Sequence, residues 1–482
     1  MRRKIAIQVM ILYAVSLCAQ TKTSWVSTTQ AEQWKTQKIQ TKHYSGTPDV
    51  VVEVNKPQQT IQGFGTCFNE QGWISLNFLS LKDREYILRE LFAPGVGANF
   101  NICRMPIGAN DFSKKWYSYN ETDGDFEMKN FSIANDLKTL VPFIKNAQKY
   151  NPTLQLWASP WSPPSWLKYN KHYAGWSVLG NSRMHFENLG IDMRGINNGL
   201  PKDRQGKEGT DMFIQEEKYY KAYALYFAKF IEAYRQQKIM IGMVMPQNEF
   251  NSSAAYPSCT WTPEGLTKFI RFLGPQMQQL GVNVFFGTLE RANAKLADAT
   301  LTDSIAKKYI KGAAFQWAGK DALPIVRKQY PKLTLYQSEQ ECGNGKNDWE
   351  NCVHSWDLMK HYLNNGVNAY MYWNTSLVKD GISTWGWKQN SLVSVDTLAR
   401  TYKFNYEYYL MKHLSHFIKP GAKLLETDGK FNNLLAFRNS DKSVVLVLRN
   451  ESPNEQIVHV KIEGYVISPK LDGDSFNTLI IK

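Results

Sequence analysis

The stretch that decides the fold is residues 241–250, which read Ile-Gly-Met-Val-Met-Pro-Gln-Asn-Glu-Phe. It is a short apolar run that ends at Pro246 and is followed by Asn248 and Glu249. Buried parallel strands have this composition, and in barrel enzymes the catalytic groups lie at the carboxyl ends of the strands. Residues 333–339 follow the same pattern, because an alternating run again ends on a carboxylate. The two stretches predict two carboxylates at one face of a parallel barrel.

Strand-like and helix-like segments alternate from residue 61 onward. The segments predicted as barrel strands are 61–66, 101–105, 154–159, 241–245, 284–288, 313–317, 333–337 and 368–373. Eight parallel strands that alternate with helices close a (β/α)8 TIM barrel, so we predict an α/β barrel domain over residues 61–412. The long segment 169–210 follows the third of these strands, and we expect it to lie over the catalytic face.

The pattern changes after Tyr409 to short alternating runs separated by turn residues. These runs are 422–426, 434–438, 443–449, 456–462 and 478–481, and they predict an antiparallel β region. Residues 50–54 read as one more strand, which we expect Lys56-Pro57 to end. The sequence therefore predicts a smaller β-sandwich built from both chain ends, with residues 20–60 contributing a strand and residues 413–482 the remainder.

The chain has 482 residues and a formal net charge of +14. Its Lys and Arg residues are spread without a run of five or six, which argues against a nucleic-acid partner. Residues 1–19 have the pattern of a secretory signal peptide, namely a basic start, an apolar run and a small residue at Ala19; lipidation of Cys18 is the alternative. No other stretch is predicted to cross a bilayer. We expect an exported protein that is periplasmic, cell-surface or secreted, of unknown oligomeric state.

Five cysteines follow the predicted cleavage site: Cys67, Cys103, Cys259, Cys342 and Cys352. Their spacing matches no metal site, and at most two disulfides are possible, with the pairing left open. The proposed chemistry needs only two carboxyl groups, so we expect no metal and no organic cofactor.

The chemistry indicated by the two stretches is hydrolysis of a glycosidic bond with retention, in which one carboxyl group protonates the leaving oxygen and the other attacks the anomeric carbon. Glu249 and Glu339 are the predicted pair, because about three βα units separate them. Asn248 precedes the first and can bind the sugar 2-hydroxyl. Glu341 is the rival nucleophile, but the sequence that follows it is typical of a loop.

Several motifs in one order resemble glycoside hydrolase family 30, the family of lysosomal glucosylceramidase. The motifs are Gly63-Phe-Gly65, Arg104-Met-Pro106 with Asp111-Phe-Ser113, the run from Ala158 to Lys168, Asn248-Glu249, Ser338-Glu339 and Trp373-Asn374. The resemblance implies a TIM barrel with an attached β-sandwich and a retaining double displacement. It assigns Glu249 as the acid/base and Glu339 as the nucleophile.

The same resemblance places Asp111, Trp161, Asn248 and Trp373 around the bound sugar. Alternatives exist for three of them, since Asp111 could cap a turn and the two tryptophans could be barrel core.

The sequence departs from the glucosylceramidase pattern after the sixth barrel strand. The mammalian enzyme has His-Trp-Tyr there, whereas this chain has Gln316-Trp317-Ala318. Several surrounding motifs resemble the microbial β-1,6-glucanase branch of the family, in which Trp317 would be a sugar platform, with core packing as the alternative. We therefore expect an endo-β-1,6-glucanase that acts on polysaccharide. The alternatives are a glucosylceramidase-like exo-β-glucosidase and, from another class, a non-catalytic carbohydrate-binding protein.

Overall fold

A computed structural model describes residues 23–38, 44–178 and 196–482. The predicted signal peptide at residues 1–19 and the middle of the predicted loop at 169–210 lie outside these residues. The chain begins with strands β1 (Thr23–Thr28), β2 (Lys35–Gln37) and β3 (Val50–Thr60), which belong to the second domain.

A closed barrel of eight parallel strands follows, which confirms the predicted fold class. Its strands are β4 (Gly63–Cys67), β5 (Ile102–Pro106), β6 (Gln155–Ser159), β7 (Met243–Val244), β8 (Asn283–Leu289), β9 (Ile310–Gln316), β10 (Thr334–Glu339) and β11 (Ala369–Asn374). Neighbours in the barrel follow chain order, and β11 closes it against β4. Each predicted barrel strand has a counterpart, although the segment predicted at 241–245 keeps only two paired residues.

Amphipathic helices surround the barrel. The helices of the described residues are α1 (Glu70–Leu76), α2 (Leu81–Phe92), α3 (Leu140–Tyr150), α4 (Glu217–Gln236), α5 (Pro263–Gln279), α6 (Asp298–Thr302), α7 (Gly319–Gln329), α8 (Trp349–Asn364) and α9 (Tyr406–Ser415). The aromatic face of α4 is buried, as helical spacing requires of a core-facing stripe. No helix formed by these residues is long and apolar enough to cross a membrane.

After the barrel the chain forms a small sheet and then returns to the second domain. The small sheet contains β12 (Ser376–Val378), β13 (Val393–Asp396) and β14 (Thr401–Phe404). The second domain adds β15 (Lys423–Gly429), β16 (Leu434–Arg438), β17 (Val444–Asn450), β18 (Gln456–Ile457), β19 (Val460–Ile462), β20 (Tyr465–Ile467), β21 (Lys470–Leu471) and β22 (Ser475–Ile481).

The second domain is a predominantly antiparallel β structure built from both chain ends, as predicted. Its main sheet has the order β2-β1-β22-β17-β16-β15-β3-β19-β20, around an apolar core that includes Trp25, Val52 and Leu446. Two details of the expectation were wrong. Residues 20–60 supply β1 and β2 as well as β3, rather than one strand, and β3 does not end at Pro57. The register between β3 and β15 shifts at Pro57, so the proline lies at a β-bulge within the strand.

Helix α9 joins the two domains and spans the boundary expected at residues 412 and 413. His413 is fully buried, and its two ring nitrogens contact Thr28 Oγ1 and Thr478 Oγ1, each at 2.8 Å. Its pKa is lowered to about 3, mainly because burial disfavours the charged ring. The helix is therefore tied to β1 and β22 by a neutral imidazole. The five cysteines from Cys67 to Cys352 are buried free thiols.

Candidate active site

Asn248 and Glu249 lie just beyond β7, where neighbouring strands hold their backbone. Pro246 cannot donate to a ladder, so strand pairing stops before it. The Asn248 N–H donates to Pro160 O (2.7 Å), and the Glu249 N–H donates to Thr288 Oγ1 (2.8 Å). Glu249 has φ 48°, a left-handed conformation that non-glycine residues seldom adopt and that is enriched at functional sites. The backbone thus fixes the direction of the Glu249 side chain.

Glu339 is the last residue of β10, and a bulge determines its direction. The pairing register with β9 shifts between Gln337 and Glu339, so Ser338 is the extra residue. A bulge re-aims the side chain that follows it. Glu341 lies two residues further on, forms an ion pair with Lys320 (2.7 Å) and contacts the ring Nε2 of His354 (3.0 Å). The rival nucleophile is thus engaged with the helices outside the barrel rather than with the Glu249 cluster.

Arg104, the middle residue of β5, links the residues delivered by these strands. Its Nη1 donates to Glu339 Oε2 (2.8 Å) and its Nη2 donates to Asn248 Oδ1 (2.6 Å). The guanidinium is fully buried and lies over the rings of Trp161 (4.4 Å) and Trp157 (5.0 Å). Aromatic faces attract a cation, and the planar guanidinium pairs well with a carboxylate in this setting.

Gln316, the last residue of β9, connects the two predicted catalytic carboxylates. Its Nε2 donates to Glu249 Oε1 (3.0 Å) and to Glu339 Oε2 (3.3 Å), and its Oε1 accepts from Ser338 Oγ (2.9 Å). The two carboxylate oxygens can be no further apart than the sum of the two donor distances, 6.3 Å. Retaining enzymes hold their carboxyl groups about 5–5.5 Å apart and inverting enzymes about 6.5–9.5 Å. The bridge therefore fits the spacing of a retaining pair.

Three buried carboxyl groups lie around the Arg104 guanidinium. Burial raises the pKa of Asp111, Glu249 and Glu339, and Arg104 opposes the rise at each. The charge of Glu249 adds to the effect of burial at Asp111 and brings its pKa to about 7. Like charges this close cannot all ionise near neutral pH, so the cluster retains a proton. Among the described residues, Arg104 makes its direct ion pair with Glu339, and this contact opposes the strong rise that burial causes in the pKa of that carboxyl.

Asn248 and Asp111 both offer hydrogen-bonding atoms to a ligand. The Asn248 Oδ1 is occupied by Arg104 and Gln316, and no described residue accepts a hydrogen bond from its Nδ2. The Asp111 Oδ1 is buried without a partner in the described chain. Asp111 does not cap the turn in which it lies, since Asn110 Oδ1 accepts from the Phe112 N–H (2.9 Å). Buried polar atoms without partners are costly and suggest a missing ligand.

Trp161 and Trp373 stack on each other at 5.2 Å beneath the carboxylates, and both are buried. The structure brings both into the cluster through Arg104, which also lies over Trp373 (5.4 Å). The Trp373 Nε1 makes no well-aligned hydrogen bond among the described residues, but it lies close enough to Asp111 to lower the pKa of that carboxyl. Their predicted contact with the sugar stays a prediction.

Aromatic side chains form a rim around this cluster at the carboxyl end of the barrel. Trp317 follows β9 with 37% of its surface exposed, as a platform requires, and it is not core. Tyr256 OH donates to Glu249 Oε2 (3.4 Å), and its ring contacts Trp387 at 6.0 Å. From the described start of the predicted loop 169–210, Tyr173 stacks on another rim residue at 5.0 Å, Trp116.

The matches to known proteins agree with this geometry. A model of the glycosyl hydrolase family 30 TIM-barrel domain matches residues 61–187 and 202–418, and a model of the family's β-sandwich domain matches residues 421–479. The chain belongs to glycosyl hydrolase family 30. It is therefore a glycosidase with a carbohydrate substrate, and it carries both domains of the family.

Relatives with two different activities are found within family 30. The lysosomal acid glucosylceramidase of Mus musculus is 28% identical over 435 residues, which are 84% of this chain and 78% of that protein. The endo-1,6-beta-D-glucanase of Neurospora crassa is 24% identical over 430 residues, 84% of this chain and 82% of the relative. The solved structure of the endo-beta1,6-glucanase BT3312 shares the fold, with TM-score 0.79, 24% identity, and 95% and 98% of the two chains covered.

The sequence did not indicate several groups that the family 30 site contains. Arg104 belongs to a motif that gives it no role of its own, and Tyr256 lies in an irregular segment without a pattern. Glu290 follows β8 and accepts from the Asn251 N–H and Ser252 Oγ, each at 2.9 Å. Burial and the nearby charge of Glu249 raise the pKa of Glu290 to about 8. Glu290 could have been found because it directly follows β8, and Arg104 because it is a charged residue inside the otherwise apolar strand β5.

Proposed function

We propose that this family 30 chain is a retaining β-glycosidase in which Glu339 is the nucleophile and Glu249 the acid/base. The observation that supports this most is the Gln316 bridge, which limits the separation of one oxygen from each carboxylate to 6.3 Å. The ion pair with Arg104 favours an anionic Glu339. Burial without such a contact favours a protonated Glu249, and a pair of carboxyls with separated pKa values is what the reaction requires.

The proposed reaction has two steps. In the first, Glu339 attacks the anomeric carbon while Glu249 gives its proton to the leaving oxygen, so the glycosidic bond breaks and a glycosyl ester forms on Glu339. In the second, Glu249 takes a proton from water, which attacks the anomeric carbon and releases Glu339. The free Nδ2 of Asn248 can donate to the sugar 2-hydroxyl, an interaction that strengthens in the transition state.

We propose β-1,6-glucan as the substrate, cut at internal bonds. The exposed Trp317 and the Tyr256–Trp387 contact would offer apolar faces to further sugars of a chain, which an endo-acting enzyme needs. The Neurospora crassa relative and BT3312, which both carry this activity in their names, support the same substrate. An exported enzyme, which we propose from the signal-like pattern of residues 1–19, would meet polysaccharide outside the cytoplasm.

The second candidate is an exo-acting β-glucosidase resembling glucosylceramidase. It is favoured by the higher identity to the mouse glucosylceramidase, 28% against 24% for the fungal glucanase. Against it stands Gln316-Trp317-Ala318, which replaces the His-Trp-Tyr of the mammalian pattern at the mouth of the barrel.

Product analysis on linear β-1,6-glucan, laminarin, xylan and an aryl β-glucoside distinguishes the two candidates. A ladder of short β-1,6 oligosaccharides from the first polymer is the expected result. Glucose from the aryl glucoside, with the polymers left intact, would instead support the exo-glucosidase. Release of xylose oligomers alone would refute both.

A further inference from the structure

A second concave site lies in the β-sandwich domain, on strands that carry none of the residues of the barrel cluster. The cavity measures about 610 Å³ and opens between the edge formed by β19 and β20 and the strands β15, β16, β17 and β22. Drug-sized ligands occupy cavities of this size range, roughly 300–1,000 Å³. We call it the sandwich pocket.

The charge of the sandwich pocket is strongly unbalanced. Its lining contains four cationic side chains, Lys423, Arg438, Lys442 and Lys482, against one acidic side chain, Glu463. Most basic side chains elsewhere on the chain are scattered, so this concentration is a local feature rather than a consequence of the net charge. The pocket should therefore attract anions.

Two of these cations stand directly opposite each other in the sheet. Lys423 on β15 and Arg438 on β16 are paired residues in the antiparallel ladder. Like charges at directly opposed positions are destabilising. The Lys423 Nζ donates to Thr60 Oγ1, which is uncharged, and no described residue pairs with the Arg438 guanidinium, although that side chain is partly buried. Neither Lys423 nor Arg438 forms an ion pair with a described residue, and an anionic ligand would compensate the repulsion.

The remaining lining suits a ring rather than a bare ion. The floor contains four apolar side chains that belong to the sandwich core, Val54, Val444, Ile462 and Ile481, and Tyr465 lies partly buried at the side. An aromatic ring beside an apolar floor offers a face to the C–H surface of a sugar. Arg438 offers a planar fork that matches a carboxylate.

We propose that the sandwich pocket binds an anionic saccharide, with a sugar carboxylate held by Arg438 and Lys442 and a sugar ring against Tyr465. Such a site would hold the enzyme on acidic polysaccharide while the barrel cleaves a neutral chain nearby. The proposal goes beyond the proposed function and does not depend on it, because binding at the sandwich pocket can be measured without catalysis.

The test is calorimetric titration of the full chain with tetragalacturonate, at low and high salt. We expect binding that Arg438→Gln/Lys442→Gln weakens at least ten-fold, that Tyr465→Ala weakens several-fold, and that Lys430→Gln/Lys461→Gln changes less than two-fold. Lys430 and Lys461 are exposed cations of the same domain outside the pocket.

Two further measurements separate this site from a structural role and from the barrel. Arg438→Gln should raise the melting temperature, since it removes the repulsion with Lys423, and hydrolysis of the barrel's own substrate should be unchanged. The proposal is overturned if the wild-type chain does not bind tetragalacturonate, or if both double variants bind it equally. Inorganic phosphate binding as tightly as the saccharide would also overturn it, because the sugar would then contribute nothing.

Discussion

Replacing Gln316 by leucine tests the bridge between the two carboxylates. Leucine has a similar volume and no hydrogen-bonding group, so the donations from Nε2 to Glu249 (3.0 Å), Glu339 (3.3 Å) and Asn248 (3.2 Å) are all lost. Ser338 Oγ keeps an alternative acceptor in Phe315 O (3.2 Å), so the backbone around it should not change.

The expected magnitude follows from the charge of the acceptors. A hydrogen bond to a charged group contributes about 1.5–3 kcal/mol. The two N–H groups of Gln316 serve three acceptors here, so we count the loss as about one hydrogen bond to a charged carboxylate. Since ~1.4 kcal/mol is a factor of ten in rate, kcat/KM should fall roughly 10- to 150-fold.

The pH dependence should move in a defined direction. A donor to a carboxylate stabilises the charged form, so its loss raises the pKa of both Glu249 and Glu339. The acidic limb of kcat/KM reports the group that must be ionised, and the basic limb reports the group that must be protonated. Both limbs of the Gln316→Leu profile should therefore shift to higher pH, by about one unit for a loss of ~1.4 kcal/mol.

The assay is kcat/KM on an aryl β-glucoside or β-1,6-glucan between pH 4 and 9, with the melting temperature as the folding control. Gln279→Leu, on the exposed end of α5, is the matched control and should behave like the wild type. A Gln316→Leu enzyme within two-fold of wild type at every pH would refute the role assigned to the bridge.

Three other variants follow from the site. Arg104→Met removes the 2.8 Å ion pair, so the pKa of Glu339 should rise and the acidic limb of kcat/KM should move to higher pH. Loss of a buried ion-pair partner costs about 3–5 kcal/mol, so the melting temperature should fall as well. An unchanged acidic limb would contradict the assignment. Glu249→Ala should slow the hydrolysis of substrates with poor leaving groups far more than that of activated aryl glucosides. Added azide should restore turnover and give a β-glycosyl azide as the product. An equal loss of activity on both substrate types would count against Glu249 as the acid. Trp317→Ala should lower kcat/KM on polymer roughly five- to ten-fold and on the aryl glucoside less than two-fold, and equal effects on the two would exclude a platform.

The parts of the fold that the sequence predicted share a physical cause. A buried parallel strand needs a continuous apolar run, and catalytic groups at its carboxyl end need a polar residue directly after that run. Residues 241–250 show both features, whereas residues 333–339 form an alternating run that also ends on a carboxylate. The structure brings the predicted Glu249, Glu339, Asn248, Asp111, Trp161 and Trp373 into one cluster and leaves Trp317 on its rim.

The parts that were not predicted depend on tertiary contacts. β1 reads as a polar segment because its stability comes from pairing with β22, almost the whole chain away. Pro57 remains in a strand because it lies beyond the residues of β3 that pair with β19, so its missing N–H costs no bond on that side. The sequence does not tell whether Arg104 is exposed or buried. It becomes the partner of Glu339 only because the barrel brings β5 close to the ends of β7 and β10.

The most direct test of the central claim is to trap the glycosyl enzyme with a 2-deoxy-2-fluoro-β-glucoside that has an activated leaving group. Intact mass should increase by one fluoroglucosyl group, and peptide mapping should place it on Glu339. A label on Glu341 or Asp111, or an unlabelled enzyme whose first product has the inverted anomeric configuration, would contradict the assignment of Glu339 as the nucleophile.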